Sequence, residues 1–220
     1  MKAGGKKGAG VLGITGTLPQ SEKGLELHET ELAAVTALTD QYPEFFGMRR
    51  NIFDPCCGPG AIVRTLEDAG HLLDAADIGN YEDRWKGRCH WTPHWNHDFF
   101  SWSAGEWRDI DAIVMNPPYS KVDAFIAHAL VLAPRVFALV ELPWLAGIQP
   151  LRCRLIDDGH LVAFHPFRNR LKMHRDGYTG ATNKNTRRHA WAVLSRDPSP
   201  VFASVMRRLT VPRKGHVNGA

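Results

Sequence analysis

Two groups of residues in this 220-residue chain have types and spacings suited to chemistry. The first, Asn116-Pro117-Pro118-Tyr119, ends the apolar run Ala112-Ile113-Val114-Met115. Neither proline has a backbone N–H and each fixes φ at about −65°, so the turn presents rigid carbonyl acceptors. The Asn116 carboxamide oxygen adds a neutral acceptor, and Tyr119 adds an aromatic plane for stacking. Two converging acceptors fit a planar –NH2 group. The nitrogen of such a group is a poor nucleophile because its lone pair is delocalised. Accepting hydrogen bonds from both of its hydrogens favours a pyramidal nitrogen and concentrates the lone pair toward an electrophile. A sulfonium methyl group held opposite can then be attacked in line. Proximity and preorganised dipoles supply most of the acceleration, with no covalent intermediate on the protein.

The second group is Asp54-Pro55-Cys56-Cys57-Gly58-Pro59-Gly60. Gly58 and Gly60 allow a tight turn that brings backbone close to a ligand, and a following helix would present free N–H groups there. The dinucleotide fingerprint G-x-G-x-x-G is not met, because Ile62 and Val63 follow where its third glycine belongs. No Lys-Ser/Thr pair marks a phosphate loop. Asp77, roughly twenty residues further on, stands where a carboxylate typically accepts from ribose hydroxyls. Asp98 can accept from an exocyclic amine and Phe99 can stack on a purine. Taken singly, these also fit a glycine turn, a strand-end acid and a loop acid beside a core aromatic.

Alternating strand-like and helix-like runs must position these residues. Leu25 to Leu38 has an apolar face of helical period and should stop before Pro43. "NIFDP" reads as a strand, "AIVRTLEDAG" as a helix closed by Gly70, and "LLDAADI" as a second strand. "DAIVMN" is a strand, "KVDAFIAHALVLA" a helix and "RVFALVEL" a strand. "LRCRLIDDG" is a short helix, followed by strands "HLVAFHP" and "HAWAVLS". This alternation predicts a single α/β domain, Rossmann-like, with a mostly parallel sheet and helices on both faces. Ligands in such sheets gather at the carboxyl ends of the strands, where the strand order reverses. Both chemical groups fall at strand ends.

Length and composition agree with one soluble domain. Residues 1–24, rich in Gly, Lys and Thr, read as a flexible arm, 25–210 as the domain and 211–220 as a tail. No apolar run approaches a membrane span, and the start lacks the apolar segment of a secretion signal. Four cysteines give no disulfide framework, so a cytoplasmic location is the default. The formal charge is +4, but the positive charge is concentrated. Between 167 and 189 stand Arg168, Arg170, Lys172, Arg175, Lys184, Arg187 and Arg188, with Asp176 the only acid. Such a loop can neutralise phosphates, although it also fits an ordinary solvated loop. Cys89, His90, His94 and His97 invite a zinc reading, but no second ligand pair lies at finger-like spacing, so no metal is expected.

The Asp-Pro-Cys-Cys-Gly-Pro-Gly loop followed by Asn-Pro-Pro-Tyr, each at a strand end, resembles the class I S-adenosylmethionine-dependent amino-methyltransferases. The resemblance spans roughly residues 50–195. "LPWLAG", "FHPFRNRLKM" and "NKNTRRHAWAVLS" look like the ending of small phage-type DNA adenine-N6 methyltransferases. It implies S-adenosylmethionine as cofactor, lined by Asp54, Pro55, Cys56, Cys57, Gly58, Gly60, Asp77 with Ile78, and Asp98 with Phe99, Asp77 holding the ribose. Asn116 and the Pro117 carbonyl would hold the target amine, Pro118 would complete the turn and Tyr119 would stack on the base. The implied partner is DNA, with the adenine flipped out or already single-stranded. Arg168, Arg170, Lys172, Lys184, Arg187 and Arg188 would meet its phosphates. The same clamp suits cytosine N4, RNA adenine or protein glutamine, and a catalytically silent nucleic-acid-binding module would carry the same fold.

Overall fold

Side chains of the run Ala112–Met115 are buried without exception and alternate between two cores. Ala112 and Val114 join Ile52, Phe137, Leu139 and Trp191 on one side, and Ile113 and Met115 join Phe53, Val136, Ala138 and Leu194 on the other. A strand that is apolar on both faces belongs in the middle of a sheet covered on both sides. The computed structural model describes residues 26–85, 90, 92–103, 110–175, 187–198, 205–206 and 208–211. The expected arm 1–24, nearly all of the tail 211–220, Cys89 and Lys184 lie outside the described residues.

In chain order the elements are β1 (His28–Glu29), α1 (Leu32–Gln41), α2 (Pro43–Phe46), β2 (Asn51–Asp54), α3 (Ala61–Asp68), β3 (Leu72–Asp77), α4 (Glu82–Trp85) and β4 (His94–Trp95). Then come β5 (Ala112–Met115), α5 (Val122–Leu132), β6 (Arg135–Glu141), α6 (Pro150–Asp157), β7 (Leu161–Pro166), β8 (His174–Arg175), β9 (His189–Ser195) and β10 (Val205–Met206). Among the described residues, eight strands form one sheet in the order β10-β7-β9-β6-β5-β2-β3-β4. All neighbours are parallel except β9, which runs antiparallel to both β6 and β7. The expected open, mostly parallel α/β sheet is what the chain forms.

Helices α1 and α3 bury Ala34, Val35, Leu38, Ile62, Val63 and Leu66 in the first core. Helices α5 and α6 bury Ile126, Ala129 and Leu155 in the second. Trp191 of β9 donates its buried indole N–H to the Ala34 carbonyl at 2.9 Å, which ties α1 to the sheet. No described helix is long and apolar enough to cross a membrane.

The first helix departs from expectation. The period suggests a start at Leu25, but the helix begins at Leu32, after Glu31 in extended conformation. Residues 28 and 29 instead pair antiparallel with β8, His28 opposite Arg175 and Glu29 opposite His174. Long-range pairing has overridden a local helical preference there. Pro43 stops α1 as expected and then opens α2, since a first-turn proline has no intrahelical bond to lose.

Candidate active site

The strand order reverses between β2 and β5, so the crevice outside their carboxyl ends is where this sheet can take a ligand. Loop 54–60 leaves β2 there, and Asn116-Pro117-Pro118-Tyr119 leaves β5. The two touch: the Asn116 backbone N–H is directed at the Cys56 sulfur, and the Cys56 thiol faces the Asp54 carboxylate.

The glycine loop is held from beneath by the Asp77 carboxylate at the end of β3. One oxygen accepts from the Gly58 N–H and the other from the Gly79 N–H, each at 2.8 Å. An ionised carboxylate has about four acceptor sites, so lone pairs remain for a ligand hydroxyl. Gly58 and Gly60 both have positive φ, 48° and 88°. A Cβ on Gly60 would stand 2.7 Å from the Trp85 ring. Backbone thus passes where no side chain fits. Ile78 is exposed beside Asp77, an apolar surface at the crevice.

Asp54 is 1% exposed. One oxygen accepts from the Cys56 N–H at 3.2 Å, while the other is buried without a partner. Burial pushes this carboxyl well above the usual range, and nearby Asp77 adds to the shift against the opposing Cys56 hydrogen bonds. Burial raises Asp77 as well, opposed by its two backbone bonds. Two buried acids side by side, one of them with an unpaired oxygen, suit a ligand that brings hydroxyls and positive charge.

At the β5 end, the Asn116 carboxamide nitrogen donates to the His28 carbonyl at 2.7 Å and to the Thr30 hydroxyl oxygen at 3.1 Å. A carbonyl can only accept, so nitrogen must face it. The carboxamide oxygen is left buried and without a partner. The Pro118 carbonyl accepts from the Lys121 N–H at 2.9 Å, closing the turn, and Pro117 is buried.

Residues 26–31, unmarked in the sequence except as the supposed start of a helix, form a strap over this crevice. Leu27 lies on Gly58, Glu26 accepts from the Ser120 N–H and hydroxyl, and Glu29 pairs with Arg84 at 2.7 Å. Glu31 accepts from the Lys172 N–H at 2.7 Å. The His28 ring stacks on Tyr119, with centroids 5.1 Å apart and planes at 24°, and His189 lies against the same ring at 5.7 Å. The expected stacking plane of Tyr119 is therefore covered by His28. Burial, with Glu141, pushes the Tyr119 hydroxyl up, and its oxygen has no partner. His189 is pushed down to about 4, first by burial and then by His28 and Arg187, so its ring is neutral at neutral pH. No periodicity marks His28 or Thr30. A Thr just ahead of a helix suggests a cap, whereas this one serves a residue 86 positions away.

Of the pair Asp98 and Phe99, only Phe99 is placed differently from the expectation. Asp98 is exposed and caps a short turn by accepting from the Phe100 N–H at 3.0 Å. Phe99 is 2% exposed, packed among Phe53, Phe125 and His128, with no face open to a purine. The aromatic–aromatic packing of the second core outweighs a surface role. His94 and His97 pack against Trp102, and no group of three potential metal ligands occurs among the described residues.

Strand β7 runs parallel to β6, and β9 returns antiparallel, so residues 167–175 leave the sheet and residues 187–189 re-enter it on the crevice side. Arg168, Arg170, Lys172, Arg187 and Arg188 are exposed on that rim, with Arg187 paired to Glu141.

This architecture has known counterparts. A protein from Listeria monocytogenes assigned to the class I S-adenosylmethionine-dependent methyltransferases superposes with a TM-score of 0.55 at 13% identity, covering 82% of this chain and 65% of that one. A modification subunit assigned to a type I restriction enzyme from Vibrio vulnificus YJ016 gives 0.55 at 9% identity, covering 87% and 48%. The fold is that of the Rossmann-like methyltransferases. A protein from Pyrococcus horikoshii assigned as an RNA methyltransferase gives 0.54 at 15% identity, covering 78% of this chain and 87% of that one. The chain thus spans less than two-thirds of the length of the first two. No family model matches the sequence, and no curated protein matches it significantly.

Proposed function

We propose that this methyltransferase-fold protein transfers a methyl group from S-adenosylmethionine to the exocyclic N6 amine of adenine in DNA. The observation that carries the reading is the Asn116 carboxamide, whose two N–H groups are engaged and whose oxygen is a buried, unpaired acceptor beside the glycine loop. Asp77 would hold the ribose through its spare lone pairs, and the orphaned Asp54 oxygen suits a cationic or N–H-bearing part of the cofactor. When bound, the cofactor supplies an electrophilic methyl carbon. Asn116, with the Pro117 carbonyl, would accept both hydrogens of the target amine and aim its lone pair. The exposed arginines and lysine on the same rim would meet the phosphates. The description of the Vibrio neighbour as a modification subunit supports DNA as the acceptor.

Incubation with radiolabelled S-adenosylmethionine should place label in DNA, and digestion should yield N6-methyladenine. Asn116→Ala should lower kcat by about 10²–10³, the usual cost of removing one preorganised dipole, while fold and cofactor binding persist. Label in cytosine, RNA or protein would reassign the acceptor. A second reading, a catalytically silent nucleic-acid-binding module, is favoured by the His28 ring covering Tyr119. Cofactor binding without methyl transfer to any of these acceptors would support that reading instead.

A further inference from the structure

We propose that Thr30 is a positioning residue for methyl transfer, its hydroxyl acting with the His28 carbonyl to lock the Asn116 carboxamide oxygen toward the acceptor amine. The inference rests on the proposed amine-methylating activity and adds to it a residue outside both strand-end motifs. An asparagine amide has two nearly isosteric orientations, and in only one does it present an acceptor to an –NH2 group. The choice must therefore be made by whatever the amide nitrogen meets. Here it meets two oxygens, at 2.7 and 3.1 Å, which account for both of its hydrogens. Reversing the amide would set its oxygen against the His28 carbonyl, two acceptors with no proton between them. It would also leave two N–H groups where the oxygen now lies, pointing donors at a donor.

Thr30 is 7% exposed, and burial protects this arrangement from competing water. The strap that carries it is anchored independently of Asn116. Glu29 holds Arg84, Glu31 holds the Lys172 backbone, and β1 pairs with β8. The Thr30 hydroxyl therefore stays in place without help from Asn116. The same pairing joins the strap to the basic segment, so a rim engaged by nucleic acid is physically continuous with the element that orients the amide.

Thr30→Val keeps the shape and removes the hydroxyl; Thr30→Ser restores it. With the full chain, a DNA acceptor and S-adenosylmethionine, Thr30→Val should lower kcat by roughly 10–100-fold, as for a modest misplacement of a reacting group. KM for both substrates should stay within about twofold, and Thr30→Ser should recover most of kcat. A side-chain amide NMR measurement gives a second readout independent of turnover. The Asn116 –NH2 protons should exchange slowly with solvent in the wild type and Thr30→Ser, and measurably faster in Thr30→Val. Wild-type kcat in Thr30→Val, or equal losses in the Val and Ser variants, would overturn the inference. So would unchanged Asn116 exchange in Thr30→Val. A wild-type protein that methylates nothing would sink the functional reading, and the NMR comparison would still decide whether Thr30 orients the amide.

Discussion

Asp54→Asn is expected to make the protein more stable and less able to bind its cofactor. The carboxyl is 1% exposed, with one oxygen in a 3.2 Å hydrogen bond and the other unpartnered. An unsatisfied buried polar group costs about 1–3 kcal/mol, and more when charged. An amide of the same shape removes the charge but leaves an imperfectly paired atom, so a gain of about 1–2 kcal/mol is reasonable. For a domain of this size that raises Tm by about 2–8 °C.

The pH dependence carries the sharper test. The folded-state pKa of Asp54 is raised above its unfolded value, chiefly by burial. The folded protein therefore binds this proton more tightly than the unfolded chain does. The resulting stability is complete below the unfolded pKa and is lost as pH rises through the folded one. Asparagine does not titrate. The advantage of the variant should thus be small at about pH 4, near the unfolded value. It should grow as pH rises and level off above the native pKa of Asp54. Asp77 is present in both proteins, and its repulsion of the Asp54 charge, which adds to the shift, is lost in the variant along with that charge. Calorimetric melts of both proteins across this range, with titration of S-adenosylmethionine into each, measure the two effects. A variant that melts lower at pH 8, or a difference that does not change with pH, would refute the claim that Asp54 is held at a loss. Unchanged cofactor affinity would remove Asp54 from the binding site.

Gly60→Ala should cost about 1–3 kcal/mol, because φ is 88° and the new Cβ would stand 2.7 Å from the Trp85 ring. A urea midpoint equal to that of the wild type would show that the loop relaxes freely. Arg188→Ala should lower the slope of log affinity against log salt for DNA binding by about one. Arg187→Ala should change it less, because that guanidinium is already paired with Glu141; equal salt slopes in all three proteins would take this rim out of the nucleic-acid interface.

The sequence by itself determined the six longer strands, β2, β3, β5, β6, β7 and β9, and where they stop, but not the two-residue pairings of β1, β4, β8 and β10. Ala112-Ile113-Val114-Met115 and the interior of β6, Val136 to Val140, are apolar because both faces of a central strand are buried, and that requirement is written locally. The two turns that end β2 and β5 were legible for the same reason: glycines at positive φ and consecutive prolines are local demands on the backbone. The tertiary structure alone decided that residues 26–31 leave their helical pattern to roof the crevice. It also decided that Phe99 turns into the second core and His28 covers Tyr119. The orientation of the Asn116 amide depends on oxygens 86 and 88 residues away in sequence, and no periodicity records a contact at that separation. Periodicity reports what each segment buries, whereas a hydrogen bond between distant segments exists only once the sheet has set both in place.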